Sequence, residues 1–389
     1  MKEKVGINIL KRLFFLLLII LAAIWTRPYW EDSVREVIPD QVTETFHSTR
    51  DFTTQTIEDS NFDFDTVRDQ AASFYSSIVD SDSAQVTEQE EATPLELTTP
   101  EDQSFSIGNV ELGDTRADVE DMYGEPERES ENEYGVHWST YHENYQNFMM
   151  VAYDDQDMVR GLYTNQDLLS SSFDLDLGDT KAAVNETLGE PEEGIRNGWF
   201  NYQINSEGEY DIYQIDGSYA TIFYDIHEND EVTAIQLIDE NLENEKDAVY
   251  TSGSETLRDG FEYQLFDLTN ADRVNHDLPV LEWNEEVRET AREHSTDMAE
   301  NQYFDHTNLQ GQSPFDRMEE DDISFTTAGE NLAYGQFSSI FAHQGLMNSE
   351  GHRENILQDS FAELGVGVDF NDDNQPFFTE NFLNDQWLY

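Results

Sequence analysis

Cysteine is absent from the 389 residues. That excludes disulfides and thiolate-bound zinc, and it leaves the redox compartment open, since a cysteine-free chain suits either side of a membrane. Basic residues are scarce: 20 Lys and Arg stand against 84 Asp and Glu, for a net charge of −64. Beyond residue 30 the only lysines are Lys181 and Lys246. A non-specific nucleic-acid binder needs a basic face to displace counterions, so that class is excluded. A glycine-rich phosphate loop with its lysine is also missing.

What is present supports folding. Hydrophobic residues make up 37% and aromatics 12%, too much for a wholly disordered acidic chain. The acid is not a tail. The first 30 residues carry +4, then residues 31–104 carry −16, residues 105–250 carry −29 and residues 251–389 carry −23. Such a surface repels itself. The Debye length falls from about 8 Å at physiological salt to about 3 Å at 1 M, so the composition points to a halophilic or salt-tolerant source.

Four segments are expected. In residues 1–30, the 13 apolar residues Leu13–Trp25 follow Lys11 and Arg12, the pattern of a signal peptide or a membrane anchor. A full span needs about 20 residues, which the run approaches only with Ile7–Leu10 included. Basic flanks place the N-terminal end in the cytoplasm and the remainder outside. Residues 31–104 read as an acidic stalk. Val67, Ala71, Phe74 and Ile78 keep helical spacing there, and Asp80–Asp102 is a polar, self-repelling linker.

Residues 105–250 contain a repeat. Leu112-Gly113-Asp114-Thr115 recurs as Leu177-Gly178-Asp179-Thr180, Gly124-Glu125-Pro126 as Gly189-Glu190-Pro191, and Val119 as Val184, all at a 65-residue offset. Each unit predicts a short helix capped by Asp or Thr, with Asp114 and Asp179 the expected caps, and ended by Gly then Pro, followed by strands. The strands are expected at Phe148–Tyr153, Met158–Tyr163, Tyr210–Ile215 and Tyr219–Tyr224, with Asp216-Gly217 as a hairpin turn.

In residues 251–389, Asn284 is placed to cap a helix bearing Val287, Ala291 and Met298, with His294 packed on it. Ser313 before Pro314 reads as a cap for a second helix, not as a nucleophile. Gly365–Phe370 and Phe377–Phe382 flank a polar turn and predict a hairpin. His276 and His343 show no partners in the sequence.

Five motifs then fall in one order: Asp305-His306-Thr307-Asn308, Ser313-Pro314-Phe315-Asp316-Arg317, Gly329-Glu330-Asn331-Leu332-Ala333, Met347-Asn348-Ser349 through Gly351-His352-Arg353-Glu354-Asn355-Ile356-Leu357, and Leu364-Gly365-Val366-Gly367-Val368. From about Phe261 to Leu383 the chain resembles a bacterial CAP domain (SCP-like; cysteine-rich secretory, antigen 5 and pathogenesis-related proteins). The repeated region is similar to the CAP-associated N-terminal domain. The resemblance implies an α+β chain, with a C-terminal α-β-α sandwich preceded by a duplicated α+β domain.

It also implies a cleft lined by two histidines and two glutamates. By motif these are His306, His352 and Glu330. Ser349 stands where the second glutamate falls, with Glu350 one residue away, and Leu346 stands where a tryptophan is usual. Two readings follow. One is a module binding a lipid, small-molecule or protein ligand outside the cell. The other is a hydrolase in which His306 and His352 hold zinc or another divalent cation, or in which Glu330 serves as acid/base.

Overall fold

The computed structural model describes residues 92–385, apart from 198, 199, 205 and 247. The apolar run Leu13–Trp25 and the helical spacing at Val67–Ile78 lie outside the described residues. Among the described residues, no helix is long and apolar enough to cross a membrane.

Strand β1 (Phe105–Ile107) precedes helix α1 (Arg116–Tyr123). Strands β2 (Arg128–Glu131), β3 (His137–Glu143), β4 (Gln146–Tyr153) and β5 (Val159–Thr164) follow, and β6 (Leu169–Ser171) pairs back on β1. Helix α2 (Lys181–Leu188) opens the second half. Strands β7 (Gly194–Asn197) and β8 (Phe200–Gln203) pair with each other, and β9 (Tyr210–Ile215), β10 (Ser218–Asp225) and β11 (Glu231–Asp239) complete it. Seven strands form one antiparallel sheet in the order β2-β3-β4-β5-β11-β10-β9, so the halves meet where β5 pairs with β11.

Helices α1 and α2 keep the 65-residue offset and end at Gly124 and Gly189, whose φ values of 80° and 89° suit glycine. Their caps differ from expectation. The hydroxyls of Thr115 and Thr180 accept the helix N–H groups, from Asp118 and Ala183. Asp114 and Asp179 instead accept from Glu111 N and Asp176 N, closing the turns ahead of the helices. Both residue types can cap; the one immediately before the first helical residue does so here. The Asp216-Gly217 turn has φ of 51° and 74°, the two positive values a type I′ hairpin requires.

The domain also begins earlier than composition indicates. The Glu111 carboxylate accepts from the backbone N–H groups of Glu101, Asp102 and Gln103, and Leu95 packs on the core beneath α1 and α2. Backbone donors need no apolar side chain, so a polar segment can be held without a hydrophobic signal.

Helix α3 (Glu240–Asn244) leads to α4 (Glu255–Asn275), β12 (Glu282–Trp283), α5 (Glu285–Asn301), α6 (Pro314–Glu320), β13 (Thr327–Tyr334), α7 (Ser339–Met347), α8 (Glu350–Ile356), β14 (Glu363–Phe370) and β15 (Pro376–Asn384). The second sheet runs β12-β14-β15-β13, which leaves β13 as an edge. The chain is thus mixed α+β, with several sheets.

Period-two alternation divides β14. Leu364, Val366 and Val368 join Leu257, Phe261, Leu265 and Leu346 in a core with α4 and α7. Gly365 and Gly367 face α5: a Cβ at Gly367 would stand 2.0 Å from Arg292 N, and one at Gly365 2.3 Å from Arg288 N. The helix backbone therefore rests directly on the strand. Asn284 caps α5, and Ser313 closes a capping box on α6 with Pro314 in its first turn, both as expected.

Helix α4 is covered from a second direction. Trp138, Phe148, Met150, Tyr163 and Phe223, all from the seven-stranded sheet, pack with Leu268 and Ala271 of α4 and Ile340 and Phe341 of α7. Gly260 permits the approach: a Cβ there would meet Glu131 O at 2.1 Å. The other face of that sheet buries Val119 and Val184 of α1 and α2.

Candidate functional site

Edge strand β13 presents Glu330, whose side chain is 1% exposed. Burying a lone carboxylate is costly, and the surroundings supply compensation. His306, on the loop after α5, places Nδ1 2.9 Å from Glu330 Oε1. Arg317 of α6 donates Nη2–H to Glu330 Oε2 and Nη1–H to the His306 carbonyl at 2.8 Å. One arginine thus holds both the carboxylate and the loop that carries the histidine.

Because the carboxylate accepts, Nδ1 of His306 is the protonated nitrogen, and neutral His306 leaves Nε2 as an acceptor. The hydrogen bond that His306 donates to Glu330 raises the pKa of His306 above the usual histidine value, against a smaller opposing effect of burial. His352 lies on α8. Burial lowers its pKa, and the charge of His306 adds to the effect. Two imidazoles that feel each other are therefore driven apart in proton affinity.

Asparagines set the position of α8. Asn331 donates to the His352 carbonyl at 3.1 Å and to buried Glu380 at 3.0 Å. Asn355 donates to Glu330 O at 3.2 Å and to Asn331 Oδ1 at 2.9 Å. From the other side, Arg353 pairs with Asp225 of β10. Asn348 Oδ1 accepts from Ile226 N, and Asn348 Nδ2 donates to Tyr224 O.

The sequence-derived site is thus assembled in part. His306 and Glu330 meet directly, and His352 lies near enough to His306 for that residue's charge to lower its pKa. Ser349 begins α8 without a side-chain capping bond, and Glu350 is exposed. Leu346 is buried in the core. His294 is packed, with Nε2 3.0 Å from Asp305 O. His343, given no partner by the sequence, is fully buried with Nε2 2.7 Å from Asp272 Oδ2. Burial raises the Asp272 pKa, but the hydrogen bond and charge of His343, with the charge of His276 and the bond from Asn165, together outweigh it, and the net shift is downward.

Arg317 was the functional residue missed. Its signal was scarcity: residues 251–389 hold only six arginines and no lysine. Four of them make ion pairs, Arg288 and Arg292 with Glu262, Arg317 with Glu330 and Arg353 with Asp225.

The donor set does not fit the expected metal shell. Both Glu330 oxygens are engaged, one by a guanidinium whose charge opposes a second cation. Among the described residues, no group of three His, Asp or Glu side chains is arranged to hold a metal ion. A cavity of about 250 Å³ lies between the two sheets' helices and strands, lined by Asp225, Glu231, Asp272, His276, Gln344 and Arg353 among others; His306, Glu330 and His352 are not among its lining residues.

A model of the cysteine-rich secretory protein family (CAP) matches residues 266–382, and a CAP-associated N-terminal model matches residues 112–249. Residues 266–382 are a CAP domain. The preceding sheet and its two helices are the CAP-associated domain. The uncharacterized membrane protein YlbC of Bacillus subtilis (strain 168) is 44% identical over 122 residues, 31% of this chain and 34% of YlbC. The uncharacterized protein YkwD of the same strain is 42% identical over 117 residues, 30% of this chain and 46% of YkwD. The matches thus span about a third and about half of these relatives.

Among solved structures, an extracellular protein containing an SCP domain from Bacillus anthracis str. Ames superposes with a TM-score of 0.62 at 26% identity. It covers 76% of this chain and 100% of its own. A cysteine-rich secretory protein of Staphylococcus aureus subsp. aureus Mu50 gives 0.57 at 16% identity, over 74% and 95%, and shows the shared fold. The alignment over three quarters of the chain takes in both domains.

Proposed function

We propose that this CAP-domain protein is an extracytoplasmic binding module of the cell envelope, and that the cleft at His306, Glu330 and His352 receives a lipid, small-molecule or protein ligand without turning it over. The observation that carries the reading is the commitment of Glu330. With one oxygen accepting from His306 and the other from Arg317, and its side chain 1% exposed, it is held in an internal ion pair rather than presented to a substrate. The imidazoles then serve as hydrogen-bonding groups, one donor-rich and one neutral near pH 6.5.

The location draws support from the relative named a membrane protein, from the neighbour named extracellular, and from the basic cluster before Leu13–Trp25. The even negative charge fits a salt-rich exterior. Helices on both faces of the β12-β14-β15-β13 sheet support the α-β-α sandwich. The matched caps and 65-residue offset of α1 and α2 support origin of the CAP-associated domain by duplication.

Calorimetric zinc titration in high salt, with a His306→Ala, His352→Ala double variant, tests the reading together with hydrolysis assays on peptide, ester and wall substrates. Absence of turnover is expected. Zinc binding lost in the double variant, with hydrolysis that depends on Glu330, would establish the hydrolase alternative instead.

A further inference from the structure

Beside the cleft stands a pair of exposed aromatic rings. Phe304 is 48% and Tyr334 40% exposed, and their ring centroids lie 5.9 Å apart. Both rest on buried Phe377, at 6.5 and 4.3 Å. The Tyr334 hydroxyl donates to Gln375 Oε1 at 2.7 Å, which fixes the ring. In a chain of net charge −64, an aromatic shelf left open to solvent is a costly feature to keep without use.

Strand geometry ties the shelf to the cleft. Glu330, Leu332 and Tyr334 share one face of β13, and four residues of strand span about 13 Å. The loop after α5 runs beside that edge: Phe304 touches Tyr334 and His306 touches Glu330. Leu332, between Tyr334 and Glu330, is buried against Met298 and Ala299 of α5, so the accessible strip follows the exposed loop from Phe304 to His306.

We propose that this strip binds a glycan chain without negative charge. One sugar stacks its C–H face on Phe304 and Tyr334, while hydroxyls farther along bond to His306 Nε2 and His352. The proposal rests on the binding reading above and names its ligand class. A sugar offers an apolar face and a polar rim, which is what exposed rings flanked by amides and imidazoles match. Asn308, Gln310 and Gln312 lie on the same loop, and Gln375 borders Tyr334. Anionic polymers are disfavoured by the chain's own charge. A stable protein interface buries about 800 Å² per partner, more than two rings supply. An acyl chain calls for an enclosed apolar channel, whereas the 250 Å³ cavity is lined by charged groups.

The test uses the full chain in detergent and molar potassium chloride, with chitotetraose, cellotetraose and an anionic galacturonate oligomer as probes. Calorimetry is expected to show binding of a neutral oligomer and none of the anionic one. Phe304→Ala and Tyr334→Ala should each weaken binding about tenfold or more, while Tyr334→Phe, which keeps the ring, restores it. Circular dichroism and melting should be unchanged for Phe304→Ala. Failure of both neutral oligomers to bind at millimolar concentration overturns the glycan proposal, as does binding indifferent to both alanine variants or tighter binding of the polyanion. Histidine NMR separates the two levels. If a fatty acid or peptide probe, and no glycan, shifts the His306 and His352 signals, the glycan proposal falls and the binding reading stands. If no probe of any class shifts them, both fall.

Discussion

Arg353 of α8 ion-pairs with Asp225 of β10, so the helix that carries His352 is held by the CAP-associated domain one residue away from that histidine. Asn348 reinforces the hold through Ile226 N and Tyr224 O. The Asp225 side chain is 7% exposed and that of Arg353 20%, so salt screens this pair less than a surface one. Removing either partner is expected to cost about 1.5–3 kcal/mol, the range for hydrogen bonds to charged groups. A double-mutant cycle with Asp225→Asn and Arg353→Ala, read by denaturant unfolding, should show positive coupling. The His352 NMR signal should move in both single variants. Purely additive effects with an unmoved His352 signal would dissolve the link between the domains at this point.

His306 and His352 should titrate in two steps. His306 has its pKa raised by Glu330, and His352 has its pKa lowered by burial, both from 6.5. Between the two midpoints His306 is charged and His352 neutral. The linkage signs are opposite. The stability contributed by His306 is fully present below about pH 6.5 and is lost as pH rises through its raised value. The unfolded chain protonates His352 more readily than the folded one, so that contribution is lost as pH falls through 6.5 toward its lowered value. NMR titration of the two imidazoles checks the order. Equal midpoints, or the reverse order, would contradict the hydrogen bond to Glu330.

Glu330→Ala leaves Arg317 buried without its partner. Breaking a buried pair in this way costs about 3–5 kcal/mol, so this variant is expected to lose stability as well as any cleft function. Glu330→Gln keeps the shape and one acceptor oxygen but sets its NH2 against one of the two donors, so it should lose less than the alanine variant yet still lose stability, while the His306 pKa falls back toward 6.5. Chemical unfolding of the two variants side by side measures the difference.

Gly367→Ala brings a Cβ to 2.0 Å from Arg292 N, where no flexible side chain can yield. Alanine would otherwise favour a strand over glycine by reducing unfolded-state freedom. Here overpacking should dominate, at about 3 kcal/mol or more of lost stability. An unfolding midpoint equal to that of the native chain would show that α5 can lift from the strand.

The melting temperature should rise from low salt to molar potassium chloride, because screening relieves repulsion among 84 acidic groups. A flat dependence would rule out adaptation to brine.

Much of this architecture was legible. The repeat located α1 and α2 to within about one residue at the start, with Gly124 and Gly189 as their stops, because cap and stop residues act locally and announce themselves in sequence. The hairpin at Asp216-Gly217 and the one joining β14 to β15 followed from turn chemistry. The strands β2 and β3 did not. Arg128–Glu131 is a polar edge segment, and His137–Glu143 mixes polar and aromatic residues without clean alternation, because its outward face is buried against another domain. The pair His306–Glu330 came from motif order. Its completion by Arg317 depends on how α6 lies over β13, a tertiary fact without a local signature. The same holds for His343 with Asp272, whose 71-residue separation hides the contact.

Helix α4 has apolar neighbours on opposite sides, one set from each domain. The consequence reaches into biosynthesis. A ribosome delivers the seven-stranded sheet first, with Trp138, Phe148, Met150, Tyr163 and Phe223 bare until α4 and α7 arrive. For that interval the nascent sheet is sticky, and where it crosses a membrane before folding, no cytoplasmic chaperone can cover it. The dense acid on the rest of the chain then has a second use: mutual repulsion between half-finished copies keeps them apart until the last helix docks.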